Sequence, residues 1–482
     1  MTNKKQTEFQ NWIEREKKAL ELINIIGQLS FERSIELVLF RRPLFDIGSS
    51  EVLTTHQYAR EITTKDISIY ETLDLAKAIK ISNLAPSRID IGKLAVKWID
   101  QSTKYSSIHD FVTKELSPYI GKDKCNLISK DVVLYGFGRI GRLLAREIIN
   151  QTGKGEQLRL RAIVVRTCSQ RDLYKRADLL KHDSIHKNFK GTVSVDPESK
   201  VLIINGQHIQ ILASENPETI DYSAYGINDA LLIDNTGVLR DRTGLGKHLK
   251  AKGISKVLLT APGKEDIPNI VTGINDDKLD LNNEQIFSCA SCTTNAIVPV
   301  LYLINKLFGI RKGHIETIHA YTSDQNLLDN YHKKERRGRA ATTNMVITET
   351  GAAEAVAKII PILEGKLTGS AVRVPVPNGS LAILHLTMAK ATSSAEIENI
   401  LKEEALFGSL SEQIDYSISK EYVSNDVVGN SHAGIIDGPA TIITKDGKSI
   451  VLYIWYDNEY GYTKQVIRLA KKLANVARLT YY

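Results

Sequence analysis

Hydrophobic residues recur at helical spacing through the first part of the chain. Apolar positions fall three and four residues apart across residues 9–26 and again across residues 73–79. We interpret the apolar group at residues 35–39 in the same way. Three prolines interrupt this segment, and glycine is scarce. The pattern predicts an all-helical N-terminal extension over residues 1–128, either a small domain or an arm packed on its neighbour.

From Asp131 onward, short apolar runs alternate with helical patterns. The runs lie at residues 132–135, 161–165, 230–234 and 256–260. Apolar runs of this length, separated by helical patterns, are typical of parallel strands buried on both faces. The sequence therefore predicts an α/β, doubly wound domain, to which we assign residues 129–291.

The pattern becomes mixed after about residue 292. Longer strand-like stretches at residues 381–388 and 449–455 alternate with helical stretches such as residues 351–363. We predict a second, α+β domain over residues 292–460. A C-terminal helix over residues 461–482 is expected to pack back on the first domain.

The composition is that of a globular protein and excludes several classes. Of the 482 residues, 42% are hydrophobic and 25% are charged, and the net charge of +7 is small for this length, so we expect no nucleic-acid partner. No apolar run suits a membrane span or a secretory signal, and we expect a cytoplasmic protein without a membrane partner. The four cysteines form neither a disulfide framework nor a zinc pattern, so we expect no metal.

A GxGxxG loop occupies residues 136–141, between a predicted strand and a predicted helix. In this context the first glycine permits a tight turn, the second lets a pyrophosphate approach the backbone, and the third allows close packing of the helix. The N–H groups of the following helix then face the phosphates. The domain is therefore predicted to be a Rossmann-type dinucleotide-binding domain. The predicted contacts from the loop are Gly136, Gly138, Arg139, Ile140 and Gly141.

The end of the second predicted strand lacks the acid that usually binds the ribose 2′-hydroxyl of NAD. Arg166 stands there instead, with Arg159, Arg161 and Arg171 nearby. An acid repels a 2′-phosphate and an arginine attracts one, so we expect NAD or NADP with NADP or dual use favoured. The alternative is that these arginines are solvated charges at a strand end.

Cys292 is the candidate nucleophile. It lies among Ser, Thr and Asn at the start of a predicted helix, where N–H groups and the helix dipole stabilise a thiolate. A thiol also needs a base, and His319 follows a predicted strand further along the chain. Cys289, three residues before the nucleophile, is interpreted as structural.

With these residues in place, the chain resembles a known family. The motifs that carry the resemblance are GFGRIGR at 136–142, SCTTN at 291–295, HAYT at 319–322, TGAA at 350–353, RVPVPN at 373–378 and WYDNEYGY at 455–462. They are similar, in the same order, to those of phosphorylating glyceraldehyde-3-phosphate dehydrogenase. The resemblance covers residues 130–482, and the extension resembles that of a longer bacterial branch.

The resemblance implies an activity and a site. It implies reversible oxidation of glyceraldehyde 3-phosphate to 1,3-bisphosphoglycerate in glycolysis or gluconeogenesis, with a thioester on Cys292 and hydride transfer to NAD(P). Small-molecule substrates and a homotetramer, in which a loop over residues 333–339 borders a neighbour's cofactor site, follow from it. Further implied contacts are Thr236, Thr260 and Asn458 for the cofactor, Thr322 and Arg373 for the substrate phosphate, and Ser291, Thr293, Thr350, Gly351 and Arg339 for inorganic phosphate. Gly379 departs from the bulkier residue usual after Pro-Asn.

Other functions stay open at this stage. Erythrose-4-phosphate oxidation uses the same chemistry and shares these motifs. Aspartate-semialdehyde and acyl-phosphate reductases also pair a Rossmann domain with a cysteine, but they lack the SCTTN and Tyr-Asp-Asn-Glu combination. A different class is a scaffold or regulatory protein, with a vestigial enzyme fold, whose N-terminal helices bind a partner.

Overall fold

A computed structural model describes residues 2–121, 125, 127–281 and 283–482 of the chain. The chain forms two compact units. The first comprises Met1–Ser129, Thr152–Gln157 and Asn475–Tyr482, and the second comprises Lys130–Gln151 and Leu158–Ala474. The extension predicted for residues 1–128 includes residues 1, 122–124 and 126, which lie outside the described residues. Among the residues described, no helix is both long and apolar enough to cross a bilayer.

The first unit is mainly helical. Its elements in chain order are α1 (Thr2–Arg33), β1 (Glu36–Leu39), β2 (Arg42–Pro43), α2 (Ser49–Thr63), α3 (Ile69–Ile81), β3 (Ser87–Asp90), α4 (Ile91–Gln101) and α5 (Ile108–Glu115). Helix α1 contacts α2 and α3. Its buried face includes Leu22, Ile26 and Leu29, which are at most 1% exposed.

The prediction of an all-helical extension was wrong in one respect. A small sheet runs in the order β2, β1, β3 and a C-terminal strand, Leu479–Tyr481. Residues 35–39, interpreted as helical, contain β1, which pairs parallel with β3. β3 in turn pairs parallel with the C-terminal strand. A run of four or five apolar residues fits a buried strand as well as a helix, and only pairing with a distant segment decides between them.

A fully buried ion pair stabilises the end of β3. Asp90 Oδ2 lies 2.7 Å from Nη1 of Arg41, and both side chains are at most 2% exposed. Asp90 also caps α4, because it accepts hydrogen bonds from the N–H groups of Gly92 and Lys93. The N–H groups of Phe40 and Arg41 donate to the same carboxylate at 3.0 Å. A buried carboxylate needs partners of this kind, so Asp90 joins β1, β3 and α4.

The second unit begins with the dinucleotide-binding fold. Its elements are β4 (Lys130–Tyr135), α6 (Arg139–Asn150), β5 (Leu158–Val165), α7 (Gln170–Lys181), β6 (Val193–Asp196), β7 (Val201–Ile204), β8 (Gln207–Ala213), β9 (Ala230–Asp234), α8 (Arg242–Leu249), β10 (Ile254–Leu259) and β11 (Ile286–Ser288). They form one sheet in the order β11-β10-β9-β4-β5-β8-β7-β6.

This sheet confirms the predicted Rossmann-type fold. The strands from β11 to β8 pair parallel, and β7 and β6 add an antiparallel edge. The chain leaves β4 toward β5 and later returns to the other side of β4 with β9, so the strand order reverses at β4. In open α/β sheets, ligands bind at such a switch point, outside the carboxyl ends of the strands.

The rest of the second unit forms an α+β fold. Its elements are α9 (Cys292–Phe308), β12 (Ile310–Ala320), β13 (Val346–Thr348), α10 (Ala352–Ile359), β14 (Leu367–Val374), β15 (Ser380–Met388), α11 (Ser394–Phe407), β16 (Ile414–Ser417), β17 (Gly434–Asp437), β18 (Ile442–Ile443), β19 (Ser449–Tyr456) and α12 (Tyr460–Leu473). The sheet runs β13-β14-β12-β15-β19-β17-β16, with β18 paired to β19. Helix α9 packs on one face of this sheet, through a core that includes Ile297, Val300 and Leu384.

The C-terminal segment needs a second correction. The structure has α12 contacting α6 of the dinucleotide-binding fold, as expected, but the helix ends at Leu473. The remaining residues belong to the first unit and contain β20, the C-terminal strand Leu479–Tyr481. The domain boundaries at residues 129, 292 and 461 otherwise stay predictions.

Candidate active site

A cleft of about 730 Å³ lies at the carboxyl ends of β4, β5 and β9. Its lining includes Gly136 and Gly138 after β4, Arg166 after β5 and Thr236 after β9. Thr236 is held by Asp234, which accepts hydrogen bonds from its N–H and its hydroxyl at 2.7 Å. Thr260 directly follows β10, and its hydroxyl donates to the Asp234 carbonyl at 3.1 Å.

The three motif glycines occupy different environments in this turn. Gly136 has φ +95°, which favours glycine, and a Cβ on Gly141 would lie 2.4 Å from the Gly136 carbonyl oxygen. Gly138 has open space around it and precedes α6 without a side-chain cap. Because Gly138 has no side chain to cap α6, the first-turn N–H groups of this helix, including those of Arg139 and Ile140, suit a pyrophosphate.

The side chain of Arg139 forms two ion pairs within the protein. Its guanidinium contacts Glu459 and Asp183, each at 2.5 Å between charged atoms. These acids raise the pKa of Arg139 despite its burial. Only the backbone of Arg139 is thus available for the cofactor contact that we predict.

Cationic side chains outnumber acids in the cleft lining. Arg166, Arg176 and Lys247 line it, together with the single carboxylate of Glu215 in the described part of the chain. Arg176 Nη2 donates to the Thr167 carbonyl at 3.2 Å, while its buried Nε has no hydrogen-bond partner among the described residues. Arg176 and Lys247 were missed at the sequence level, because α7 and α8 bring them to the cleft from other parts of the chain.

Two of the arginines grouped with Arg166 lie elsewhere. Arg159 and Arg161 pair with Asp131 at the beginning of β4. They stand in the amino-terminal half of β5, so about 3.3 Å per residue separates them from the cleft edge at Arg166. The expectation that they would lie near a 2′-phosphate was wrong, whereas Arg166 does line the cleft.

Cys292 is the first residue of α9. Ser291 caps this helix, since its Oγ accepts a hydrogen bond from the N–H of Thr294 at 3.0 Å. The thiol therefore lies at the positive end of the helix dipole, as the sequence predicted. Cys289, by contrast, is buried, and burial raises the pKa of its thiol to about 12.

His319 lies next to this thiol. It is the penultimate residue of β12, and its Nε2 is 3.6 Å from Sγ of Cys292. Its Nδ1 lies 2.7 Å from two atoms, the Ala320 carbonyl oxygen and Nη1 of Arg373. Only one of these contacts can be a hydrogen bond, because Nδ1 either donates or accepts. A proton on Nδ1, donated to the carbonyl, leaves Nε2 as the acceptor that faces Sγ.

Burial acts against the charged forms of both members of this pair. Burial raises the pKa of the Cys292 thiol, against the opposing effect of Arg373 and of local hydrogen bonds. Burial and the charge of Arg373 lower the pKa of His319 to about 3. An imidazole that is unprotonated and faces a thiol is in the form that can accept the thiol proton.

Arg373 reaches this position through strand pairing. β14 runs parallel to β12, and the register places Arg373 opposite His319. Its Nη1 donates to the Ala320 carbonyl at 2.9 Å. A cation thus lies beside both the imidazole and the thiol, where a substrate phosphate or a thiolate would be stabilised.

The other predicted anion contacts lie on neighbouring segments. Thr293 Oγ1 is 3.0 Å from the hydroxyl of Tyr456, a buried residue of β19 within the WYDNEYGY motif. Thr350 and Gly351 lead into α10, and Thr350 Oγ1 accepts a hydrogen bond from the Ala352 N–H at 3.2 Å. Thr322 follows β12 and is partly exposed. Their phosphate contacts stay predictions.

Within the basic run, Arg337 rather than Arg339 acts on the site. Arg339 is exposed and pairs with Asp329 at 3.1 Å. Burial lowers the pKa values of His319 and Arg373, and the charge of Arg337 acts in the same direction on both. Arg337 is fixed by Asp324 and by Thr348, whose hydroxyl lies 3.1 Å from Nε. The clustering of charges in residues 333–339 did not indicate which of its arginines acts on His319.

Asn458 lies in the short segment between β19 and α12. It is buried, and its Oδ1 accepts a hydrogen bond from the hydroxyl of Ser380 at 2.8 Å. The preceding residue, Asp457, is also buried and contacts His186 and Asn378. These contacts fix the segment that carries the amide for which a nicotinamide role is predicted.

Comparison with known proteins agrees with this geometry. The family described as "Glyceraldehyde 3-phosphate dehydrogenase, NAD binding domain" matches residues 130–242, and "Glyceraldehyde 3-phosphate dehydrogenase, C-terminal domain" matches residues 291–458. A "Glyceraldehyde-3-phosphate dehydrogenase-like protein" of Pseudomonas aeruginosa (strain UCBPP-PA14) is 49% identical over 94% of the chain and 98% of the relative. "Glyceraldehyde-3-phosphate dehydrogenase 1" of Bacillus subtilis (strain 168) is 38% identical over 71% of the chain and 98% of the relative.

The fold and the site define an NAD(P)-dependent dehydrogenase that acts on a small-molecule substrate. The chain belongs to the glyceraldehyde-3-phosphate dehydrogenase family. Because the Pseudomonas alignment covers 94% of the chain, it includes most of the N-terminal extension. The extension is therefore shared with a longer bacterial relative, as the resemblance implied.

Proposed function

We propose that this chain catalyses the reversible, phosphorylating oxidation of glyceraldehyde 3-phosphate to 1,3-bisphosphoglycerate. The observation that carries the proposal is the Cys292 thiol at a helix N-terminus, 3.6 Å from Nε2 of His319 and acted on by the charge of Arg373. A thiol, a neutral base and a cation are the groups that nucleophilic attack on a phosphorylated aldehyde requires.

The reaction proceeds through a covalent adduct on the sulfur. His319 Nε2 takes the thiol proton, and the thiolate attacks the aldehyde carbon to form a hemithioacetal. The glycine loop and Asn458 would hold a dinucleotide, which would supply the acceptor for the hydride that leaves this carbon. The resulting thioester is cleaved by inorganic phosphate, which takes the acyl group and returns the sulfur as a thiolate. His319 Nε2–H donates to the carbonyl oxygen on which negative charge develops.

The phosphates are assigned to the residues around this pair. Arg373 and Thr322 bind the C3 phosphate of the substrate. Ser291, Thr293, Thr350 and Gly351 bind inorganic phosphate, and Arg337 replaces Arg339 as the supporting cation. Arginine and hydroxyl groups suit phosphate oxygens because they donate several charge-assisted hydrogen bonds.

We assign NADP, or dual use of NAD and NADP, because of the charges that line the cleft. Arg166, Arg176 and Lys247 line it beside one carboxylate, and the buried Nε of Arg176 lacks a partner within the described residues. A 2′-phosphate carries negative charge and three acceptor oxygens, so it would satisfy several cationic donors where a 2′-hydroxyl offers one neutral oxygen.

A homotetramer is the assembly that we propose. One face of the sheet that carries His319 has apolar side chains that are only partly buried in this chain, including Leu381, Ile383, Val451 and Tyr453. Apolar sheet faces of this kind suit burial between subunits. Light scattering on the purified chain tests the assembly.

A steady-state assay with glyceraldehyde 3-phosphate tests the function. We expect turnover that requires inorganic phosphate and a higher kcat/KM with NADP than with NAD. Erythrose 4-phosphate, assayed in parallel, is expected to be the poorer substrate. Higher kcat/KM for erythrose 4-phosphate, or turnover that ignores phosphate, would contradict the proposal.

A further inference from the structure

Two residues of one short segment contact two successive residues at the cofactor site. Asn378 Nδ2 donates to Oδ1 of Asp457 at 2.8 Å, and Ser380 Oγ donates to Oδ1 of Asn458 at 2.8 Å. All four side chains are buried. The segment therefore fixes the backbone entering α12 at one residue and the orientation of an amide at the next.

Gly379 sets the spacing of these two contacts. Its φ is +85°, and a Cβ there would lie 2.0 Å from the carbonyl oxygen of Ser424. A larger residue would displace the segment, so this turn needs glycine in this chain. The departure from the bulkier residue noted in the sequence thus has a structural cause.

The hydroxyl of Ser380 both accepts and donates a hydrogen bond. It accepts a hydrogen bond from the N–H of Ala320 at 3.1 Å and donates to Asn458. With Oδ1 of Asn458 engaged in this way, Nδ2 is the end left to donate. Within the described residues, none accepts a hydrogen bond from Nδ2.

We propose that Ser380 is a positioning residue for hydride transfer. Its hydroxyl orients the Asn458 amide so that Nδ2 is presented to the carboxamide oxygen of the nicotinamide. Through Ala320, whose carbonyl contacts His319, the same serine joins this amide to the strand that carries the base. This inference rests on the proposed function, in which Asn458 contacts the nicotinamide.

A double-mutant cycle tests this role. Ser380→Ala is expected to lower kcat/KM for the cofactor about tenfold, the typical effect of losing one buried hydrogen bond. In an Asn458→Ala background, Ser380→Ala is expected to cost nothing further, because the amide that it orients is gone. A full additional loss in that background would overturn the inference.

Binding of ADP-ribose separates positioning from general damage. This probe lacks the nicotinamide, so its Kd is expected to be unchanged by Ser380→Ala; a large increase would mean that the serine only supports the fold. Ser411→Ala, which removes another buried hydroxyl far along the chain from this segment, is the matched control with unchanged kcat/KM. If Asn458→Ala has no effect on cofactor kinetics, the proposed role of Asn458 fails. If only Ser380→Ala has none, the inference alone fails.

Discussion

Sγ of Cys292 lies 3.6 Å from Nε2 of His319, although 27 residues separate them along the chain. Helix α9 begins at the cysteine, and strand β12 returns the chain to place the histidine beside it. We propose this pair as the centre of the active site.

Replacement of the nucleophile should abolish turnover. Cys292→Ser is expected to lower kcat by on the order of 10³-fold or more, because a serine hydroxyl beside a neutral histidine is a far weaker nucleophile than a thiolate. Steady-state kinetics with glyceraldehyde 3-phosphate measure this. The matched control is Cys289→Ser, which changes a buried thiol outside the pair and is expected to retain turnover. Turnover by Cys292→Ser near the level of the unmodified chain would contradict the covalent mechanism.

The reactivity of the thiol should depend on Arg373. This cation opposes the rise in the pKa of Cys292, so Arg373→Leu is expected to raise that pKa further. At any pH below the pKa, the thiolate fraction then falls and alkylation slows. We measure the rate of alkylation by iodoacetamide as a function of pH, and the midpoint of this profile is expected to move to higher pH in Arg373→Leu.

Arg311→Leu serves as the control for that experiment. Arg311 is an exposed residue of β12, so its removal is expected to leave the alkylation profile in place. Coincident profiles for Arg373→Leu and the unmodified chain would show that the charge does not act on the sulfur.

Cofactor preference should follow the charge at the end of β5. Arg166→Asp places a carboxylate where a 2′-phosphate would lie, and kcat/KM for NADP is expected to fall about tenfold or more relative to that for NAD. Arg176→Ala should act in the same direction. Parallel kinetics with the two cofactors measure the ratio, and an unchanged ratio in both variants would argue against a 2′-phosphate contact.

The buried ion pair of the first unit should be important for stability. Asp90→Ala removes the buried carboxylate that contacts Arg41 and the cap of α4, and we expect a loss of about 3–5 kcal/mol in the free energy of unfolding. Denaturant unfolding followed by circular dichroism measures this. Asp100→Ala is the matched control, since Asp100 pairs with Lys65 at the surface and is expected to contribute little. Equal effects of the two substitutions would contradict the assignment.

Truncation should reveal that the C-terminal strand belongs to the first unit. Deletion of residues 1–128 removes β3, the strand that pairs with β20. The shortened chain then keeps an unpaired strand edge, and we expect it to aggregate more than a chain that also lacks residues 475–482. Light scattering of both truncated chains makes the comparison. Greater aggregation of the doubly truncated chain would be the opposite of this result.

The hydrophobic periodicity and the motifs predicted the sheet-and-helix order of the second unit, because period and glycine placement are local properties of the chain. They failed at β1 and at residues 474–482. At β1 a run of three apolar residues suits helix and strand equally, and at the C-terminus the strand pairs with β3, far away in the sequence. Strand pairing is a long-range interaction, which a local pattern does not specify.

The sequence by itself identified the groups to which we assign the chemistry: a cysteine at a helix start, a glycine turn and an arginine after the second strand. Tertiary structure alone decided their neighbours. Parallel pairing of β12 and β14 put Arg373 beside His319, and helices α7 and α8 brought Arg176 and Lys247 to Arg166. It also separated Arg159 and Arg161 from the cleft, because the two ends of a strand face different surroundings. Residue identity fixes which functional groups the chain carries. The distances between these groups and their burial, which set pKa values and contacts, arise only when remote segments pack together.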